Sequence, residues 1–222
     1  MASVSSMVRE IVSGDPYILE CVGRGVVNYS ALSRSIAREI EASTGSKPSI
    51  AAVKMALMRL SSRLSRGSRR AERVIAYTTL AVQDSIAVVT VPREGIRRAF
   101  NAAYRLAGSS RFIQVVQGLR TATIFVARED LGRVLSAVGE PLEVIDGQAA
   151  IILVSPRDIV ETPGVISLIT SYLARNGINI TQIISCHLET IIIVDSRDAV
   201  RAYRALQSLV EYARRSLASG GP

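Results

Sequence analysis

Residues 155–210 read SPRDIVETPGVISLITSYLARNGINITQIISCHLETIIIVDSRDAVRAYRALQSLV. Within them, Pro163-Gly164 precedes an amphipathic helix pattern that ends at Asn176-Gly177. Two β-rich runs follow, the first starting at Ile178-Asn179-Ile180, and a long helix pattern begins at Asp198-Ala199. The stretch therefore predicts a helix, two strands and a second helix, in that order.

An earlier part of the chain shows the same order, so the sequence contains an internal repeat. Val91-Pro92 corresponds to Ser155-Pro156, and Asp130 corresponds to Asp198. Each copy opens on a β-rich region interrupted by a polar turn, at Gln83-Asp84-Ser85 in the first copy and as an Asp146-Gly147 hairpin in the second. The second copy carries the insertion RDIVETPG where the first has only REG.

The first 66 residues show instead the 3.6-residue period of amphipathic helices. A helix over 4–12 precedes a second one that begins at Asp15-Pro16. Asn28 or Ser30 caps a third helix, which stops at Gly45, and Ser49 caps a fourth. The fourth helix has an apolar stripe that is predicted to be buried: Ile50, Val53, Leu57, Leu60 and Leu64.

Positive charge is concentrated in this helical part. Residues 1–75 contain twelve Lys and Arg against six Asp and Glu, whereas residues 76–222 contain fifteen against thirteen. An excess of basic charge on one part of a chain favours a polyanionic partner. The alternative is a solvated helix face that leads into a charged linker.

The third and fourth predicted helices, joined by a polar turn, resemble a helix-turn-helix. The connection over 43–48 is longer than the tightest such turn, and no two-stranded wing follows. The resemblance implies base-edge contacts from Ser49 and Ala52 and mainly phosphate contacts from a basic set. That set is Lys47, Lys54, Arg59, Arg63 and Arg66. A small helical dimerisation or packing domain is the alternative.

Several classes of protein lack their characteristic residues here. Cys21, Cys186 and His187 give no metal-ligand spacing, and the chain has no glycine-rich phosphate loop, nucleophile elbow or HExxH. We expect Cys186 and His187 at a hairpin tip rather than as a catalytic pair, because adjacent strand residues point to opposite faces. The longest apolar run, 149–154, is far shorter than the ~20 residues that span a bilayer. Because the N-terminus shows no signal peptide pattern, we expect a cytoplasmic protein. Because the catalytic motifs and metal-ligand spacings are missing, we also expect that it is not an enzyme and holds no metal or cofactor.

Residues 155–210 resemble an ACT domain, especially those of aspartokinases. The resemblance rests on Pro163-Gly164-Val165, Asn176-Gly177, the hairpin IISCHLETIIIVD and Asp198-Ala199. The first repeat resembles a degenerate copy, and the whole chain resembles an archaeal group of predicted regulators of amino-acid metabolism. This implies an α+β fold, in which a helix-turn-helix-like domain precedes two ferredoxin-like βαββα repeats. The repeats are expected to form antiparallel sheets with helices on one face.

The resemblance also implies a site for a free amino acid, which ACT families usually hold between two modules. Amides at a helix start suit a carboxylate, and carbonyl groups or an asparagine suit an ammonium. The candidate residues are Glu161, Thr162, Pro163, Gly164, Val165, Ile166, Asn179, Ile180 and Thr181. We expect Arg93-Glu94-Gly95 of the first repeat to bind nothing. The alternative is a ligand-free module in which Pro163 and Gly164 only set a turn.

These observations predict a helical domain over 1–66, a basic linker over 67–73, a degenerate repeat over 74–140 and an ACT domain over 141–222. The favoured function is DNA-binding transcriptional regulation in response to an amino acid, by a homodimer or higher homo-oligomer formed through the ACT sheets. The first alternative is a regulatory subunit that controls an amino-acid biosynthetic enzyme. A catalytic protein of unknown type and a ligand-free oligomeric scaffold are the others.

Overall fold

The computed structural model describes residues 3–219, and the chain divides into two units. Of the described residues, the first unit comprises 3–72 together with 162–164, and the second comprises 73–161 and 165–219. The described chain is α+β, with a helical N-terminal unit and a second unit built on one six-stranded sheet.

Four helices begin in the N-terminal unit: α1 (Val4–Gly14), α2 (Pro16–Gly23), α3 (Tyr29–Thr44) and α4 (Ile50–Ala76). The predicted caps are confirmed for α2, where Asp15 Oδ1 accepts hydrogen bonds from the Tyr17 and Ile18 amides. Asn28 rather than Ser30 caps α3, and Ser49 accepts a hydrogen bond from the Ala52 amide at the start of α4.

An apolar cluster joins these helices, and α4 contributes most of its predicted stripe to it. Val53 and Leu57 are fully buried, and Leu60 and Leu64 pack against them half-buried. The prediction for Ile50 is wrong, because its side chain is 49% exposed. Ile50 is the first residue of α4, so no preceding turn covers its N-terminal side.

The predicted linker over 67–73 is also wrong, because these residues are helical and lie within α4. Gly67 disfavours a helix by about 1 kcal/mol relative to alanine. The flanking arginines are good helix formers, and Ala71, Val74 and Ile75 are buried. Their burial outweighs the glycine, and the charged run SRGSRRAER is therefore an exposed helix face instead of a connection.

The second unit contains two successive βαββα repeats, as predicted. The first comprises β1 (Thr79–Pro92), α5 (Ile96–Leu106), β2 (Ile113–Gln117), β3 (Thr121–Ala127) and α6 (Leu131–Val138). The second comprises β4 (Glu143–Val154), α7 (Val165–Arg175), β5 (Gln182–Cys186), β6 (Glu189–Asp195) and α8 (Ala199–Ala218).

All six strands form one antiparallel sheet in the order β2-β3-β1-β4-β6-β5. The two long central strands run past each other, with Thr79 opposite Val154 and Thr90 opposite Glu143. The first half of β4 thus adds a fourth strand to β2, β3 and β1 of the first repeat. In the same way, the first half of β1 adds a fourth strand to β4, β6 and β5 of the second repeat. Each repeat is completed to four strands by the other.

The predicted turns at 83–85 and at Asp146-Gly147 are wrong as chain reversals. They are irregularities within the continuous strands β1 and β4, where the register between the two strands shifts. Ser85 and Gly147 there have φ of 53° and 65°, a left-handed conformation that kinks a strand without reversing it. Each kink separates the part of the strand that serves one repeat from the part that serves the other.

The helices pack on one face of the sheet. In the first repeat, Ala87 and Val89 of β1 and Ile124 of β3 pack against Ala99 of α5 and Val134 of α6. The opposite side of the same strands carries a second apolar cluster that includes Val88, Phe125, Ile191 and Ile193. This cluster contains residues of both repeats and none from a helix, so it holds the two repeats together.

Candidate functional site

The segment between β4 and α7 carries the first group of candidate ligand residues. Arg157–Val160 forms a 3-10 turn, Glu161 is exposed, Thr162 is buried, and Gly164 has φ +91° immediately before α7. A Cβ at Gly164 would meet no atom within 4 Å, so backbone conformation rather than space favours glycine there. Val165 and Ile166 form the start of α7, as predicted.

Asn179, Ile180 and Thr181 lie between α7 and β5, and not in the strand. The prediction of a strand start at 178–180 is wrong, because β5 begins at Gln182. Thr181 donates its hydroxyl proton to Gln148 Oε1 at 2.8 Å, and its amide donates to the Ile193 carbonyl. Asn179 is exposed at the position that follows the turn closed at Gly177.

These two groups of candidates lie at opposite ends of α7. The helix has 11 residues, and a rise of about 1.5 Å per residue makes it about 16 Å long. A free amino acid is far shorter than that. Residues 165–166 and 179–181 of one chain therefore do not meet around a single small ligand.

The hairpin tip between β5 and β6 is confirmed where Cys186 and His187 were expected. Cys186 ends β5, and His187 occupies the turn with φ of 53°. Both side chains are exposed. Within residues 3–219, no three His, Cys, Asp or Glu side chains are grouped so as to hold a metal ion. None of the helices in the same range is long and apolar enough to cross a membrane.

The basic residues predicted to contact DNA differ in whether they already have partners within the chain. Lys47 Nζ lies 3.9 Å from Glu41, and Lys54 Nζ donates to Ser30 Oγ at 3.3 Å, so both lysines have partners. Arg59 makes a long hydrogen bond to Ser5 at 3.4 Å. Arg63 and Arg66 are exposed, and within residues 3–219 neither forms a hydrogen bond or ion pair.

The structure adds Arg70 to this set, because α4 continues through the predicted linker. Arg59, Arg63, Arg66 and Arg70 are spaced by four, three and four residues, and they lie within about 60° of one another around the helix. We call these four residues the arginine stripe. Arg70 is exposed and, like Arg63, forms no ion pair with any residue that the structure describes. Its spacing is visible in the sequence, but the polar run around Gly67 predicts a linker at this position.

An ion-pair group lies beside the kinks of the central strands. Arg111 donates hydrogen bonds to the Glu129 carboxylate at 2.6 Å and to the Asp84 carbonyl oxygen at 3.2 Å. The second bond gives a backbone acceptor at the first kink a partner. The hydrogen bond with Arg111 holds the pKa of Glu129 below its ordinary value and raises the pKa of Arg111. Arg128 pairs with Asp146 at the second kink. These contacts stabilise the kinks.

Asp195 at the end of β6 provides a pH-dependent prediction. The Arg197 guanidinium and amide donate to its carboxylate, at 2.7 Å to Oδ2 and at 2.8 Å to Oδ1, and they lower its pKa from 3.8 to about 2. A lowered pKa contributes stability above pH 3.8 that is lost as the pH falls through about 2. In R197A, we expect carboxyl NMR to give a pKa for Asp195 closer to 3.8. It should stay slightly below that value, because the backbone amide of residue 197 still donates a hydrogen bond to the carboxylate. An R204A control should leave the titration near 2; an unchanged value in R197A contradicts the assignment.

Comparison with known proteins identifies part of the sheet unit. Residues 143–208 match the ACT domain family. The match begins at the first residue of β4 and extends into α8, so it covers the second repeat and not the first. Among curated proteins, no sequence matches the chain.

Solved structures of aspartate kinases resemble the sheet unit in fold. The aspartate kinase of Clostridium acetobutylicum has 14% identity and a TM-score of 0.50, over 59% of this chain and 34% of the enzyme. The chain thus matches about a third of that enzyme's length. The regulatory subunit of aspartate kinase from Thermus thermophilus has 20% identity and a TM-score of 0.48, over 59% and 95% of the two chains. A putative C-terminal regulatory domain of aspartate kinase from Porphyromonas gingivalis W83 has 16% identity and a TM-score of 0.47, over 60% and 96%. The sheet unit has an ACT-like fold, and its second repeat matches the ACT domain family.

Proposed function

We propose that the chain is a DNA-binding regulator of amino-acid metabolism whose second repeat responds to a free amino acid. The observation that carries this proposal is the ACT match over residues 143–208 in a chain whose N-terminal unit is basic. An effector module in the same chain as a polyanion-binding unit is the composition that such a regulator requires.

The arginine stripe supports DNA as the polyanion. The stripe spans 11 residue steps, or about 16 Å along α4, and one DNA strand presents a phosphate about every 3.4 Å of helix axis. Among the residues that the structure describes, none is an acidic partner of these four exposed guanidinium groups, which therefore suit a series of backbone phosphates. Such contacts position a protein on DNA without reading its sequence. Ser49 and Ala52, exposed at the start of α4, remain the candidates for base-edge contacts.

The amino-acid site needs a second copy of the chain. Because the two candidate segments lie at opposite ends of α7, we infer that residues 161–166 of one copy meet residues 179–181 of another. β5 follows residue 181 directly and is an edge strand of the sheet, so it can pair with a strand of the second copy. A two-fold assembly also provides two DNA-binding units, which suits a two-fold DNA site.

The proposed ligand site is tested by a thermal-shift screen of the full chain against the twenty amino acids. A ligand of about ten heavy atoms binds with a dissociation constant of roughly micromolar to millimolar. At 100 times that constant it stabilises the folded protein by about 2.7 kcal/mol, which corresponds to a shift of about 5–11 °C for a chain of this size. We expect one amino acid, or a few related ones, to produce such a shift.

Variants in both segments localise the site. G164W places a large side chain before α7, and N179A removes the exposed amide, and either change should abolish the shift. N101A on α5 removes another exposed asparagine, in the first repeat, and should leave the shift intact. A flat screen, or a shift that survives both G164W and N179A, contradicts the proposed site. A dimer mass in light scattering is also expected, and a monomer that still binds an amino acid contradicts the shared pocket.

A further inference from the structure

Two buried hydroxyl groups connect the end of α4 to the end of β4. Thr78 Oγ1 lies 2.9 Å from Ser155 Oγ and 3.0 Å from the Val74 carbonyl oxygen. Thr78 is 1% exposed and Ser155 is 4% exposed. The single hydroxyl proton of Thr78 is donated to the Val74 carbonyl, so Ser155 is the donor in the pair. The hydrogen bonds therefore run in one direction, from Ser155 to Thr78 to Val74.

The two ends of this chain of hydrogen bonds lie in segments that matter to the proposed function. Val74 is in the last turn of α4, the helix that carries the arginine stripe. Ser155 is the first residue after β4, where the segment that leads to α7 begins. The Ser155 amide also donates to the Leu188 carbonyl at 2.9 Å, so the backbone at Ser155 is held while its side chain contacts Thr78.

The first repeat has no polar counterpart of these two hydroxyls. The central strands pair symmetrically, with Thr79 opposite Val154 and Glu143 opposite Thr90. The counterparts of Thr78 and Ser155 under this symmetry are Leu142 and Val91, and neither carries a polar side chain. At the equivalent place Leu142 is 62% exposed and Val91 is buried, so no buried polar pair occurs there. The hydroxyl pair lies where β4 ends, next to the longer insertion of the second repeat, which is also the repeat that matches the ACT domain family.

We propose that Ser155 and Thr78 form a relay that transmits the state of the β4–α7 segment to the last turn of α4. Because both hydroxyls are buried, a shift of the segment that separates them leaves a polar group unpaired, which is unfavourable. Thr78, and with it the Val74 carbonyl, therefore follows Ser155. The relay rests on the proposed function: it would connect the β4–α7 segment of the proposed amino-acid site to α4, the helix proposed to contact DNA. Its physical claim requires no assumption about what either end binds.

Hydrogen exchange measured by mass spectrometry on the full chain tests the relay without amino acid or DNA. G164A perturbs the β4–α7 segment, because alanine is strained at φ +91° while its Cβ meets no neighbour within 4 Å. We expect G164A to change the exchange rate of the amides over 74–80 by at least about fivefold. In the T78V/S155A background, which removes both hydroxyls together, the same substitution should change it by less than about twofold.

Two controls separate the relay from a general loss of structure. T78S keeps a hydroxyl and should preserve the effect of G164A. T123V removes a hydroxyl from the Thr90–Thr123 pair of the first repeat and should also preserve it. If T78V/S155A does not fold, S155A alone provides the same comparison. An equal effect of G164A with and without the hydroxyls, or no effect in the natural background, overturns the relay. A flat amino-acid screen refutes the proposed function separately, because the exchange result does not depend on it.

Discussion

Replacing the four arginines of the stripe with glutamine should reduce the affinity for double-stranded DNA by about three orders of magnitude at 0.1 M salt. Each phosphate contact contributes a slope of about −0.9 to log K against log salt concentration. The four substitutions should therefore make the measured slope less steep by about 3.6. Fluorescence anisotropy with a mixed-sequence duplex is suitable, because phosphate contacts do not depend on the base sequence.

A matched control uses exposed arginines from the sheet unit. Arg97 and Arg105 of α5 are exposed, and replacing both with glutamine should leave the slope unchanged. Lys47 and Lys54, which have partners, should have smaller effects than the arginines. An unchanged slope in the stripe variant contradicts the assignment of α4. Absence of DNA binding by the natural chain at low salt favours instead the regulatory subunit that controls a biosynthetic enzyme.

The F125A substitution should lower the free energy of unfolding by about 3–5 kcal/mol, the usual range for a phenylalanine removed from a packed core. Phe125 is 1% exposed and belongs to the apolar cluster that contains strand residues of both repeats. The repeats also complete each other's sheets, so we expect them to unfold as one unit. Urea denaturation gives the free energy, and hydrogen exchange shows whether β6 loses protection together with β3.

Phe100 provides the control for this prediction. It is 43% exposed on α5, so F100A should change the free energy of unfolding by no more than about 0.5 kcal/mol. If F125A weakens protection in the first repeat and leaves β6 unaffected, the two repeats unfold independently. That outcome contradicts the interlocked arrangement of β1 and β4.

The order of helices and strands could be predicted from the sequence because its signals are local. Asp15-Pro16, Pro163-Gly164 and Asp198-Ala199 each stand at the start of a helix in the structure. The kinks at 83–85 and 146–147 could not be predicted, since polar residues with positive φ occur both in hairpins and in bulged strands. Whether the chain reverses there depends on the distant strand that pairs with it.

The candidate site could be predicted only as two segments. The motif around Gly164 and the one around Asn179 are local, but their separation by the length of α7 is a property of the folded chain. The contact between Thr78 and Ser155 joins residues 77 positions apart, and no pattern in the sequence relates them. The full length of α4 was missed because burial of Val74 and Ile75 in the second unit outweighs the local effect of Gly67.

We propose that a free amino acid changes the DNA affinity of this chain. The most direct measurement is DNA binding by the full chain at one fixed salt concentration, with and without each of the twenty amino acids. We expect at least one amino acid to change the dissociation constant for DNA by about 5–150-fold, the usual range of coupling between two sites. By linkage, DNA must then change the affinity for that amino acid by the same factor. If none of the twenty amino acids changes the DNA affinity, regulation of DNA binding by a free amino acid is contradicted.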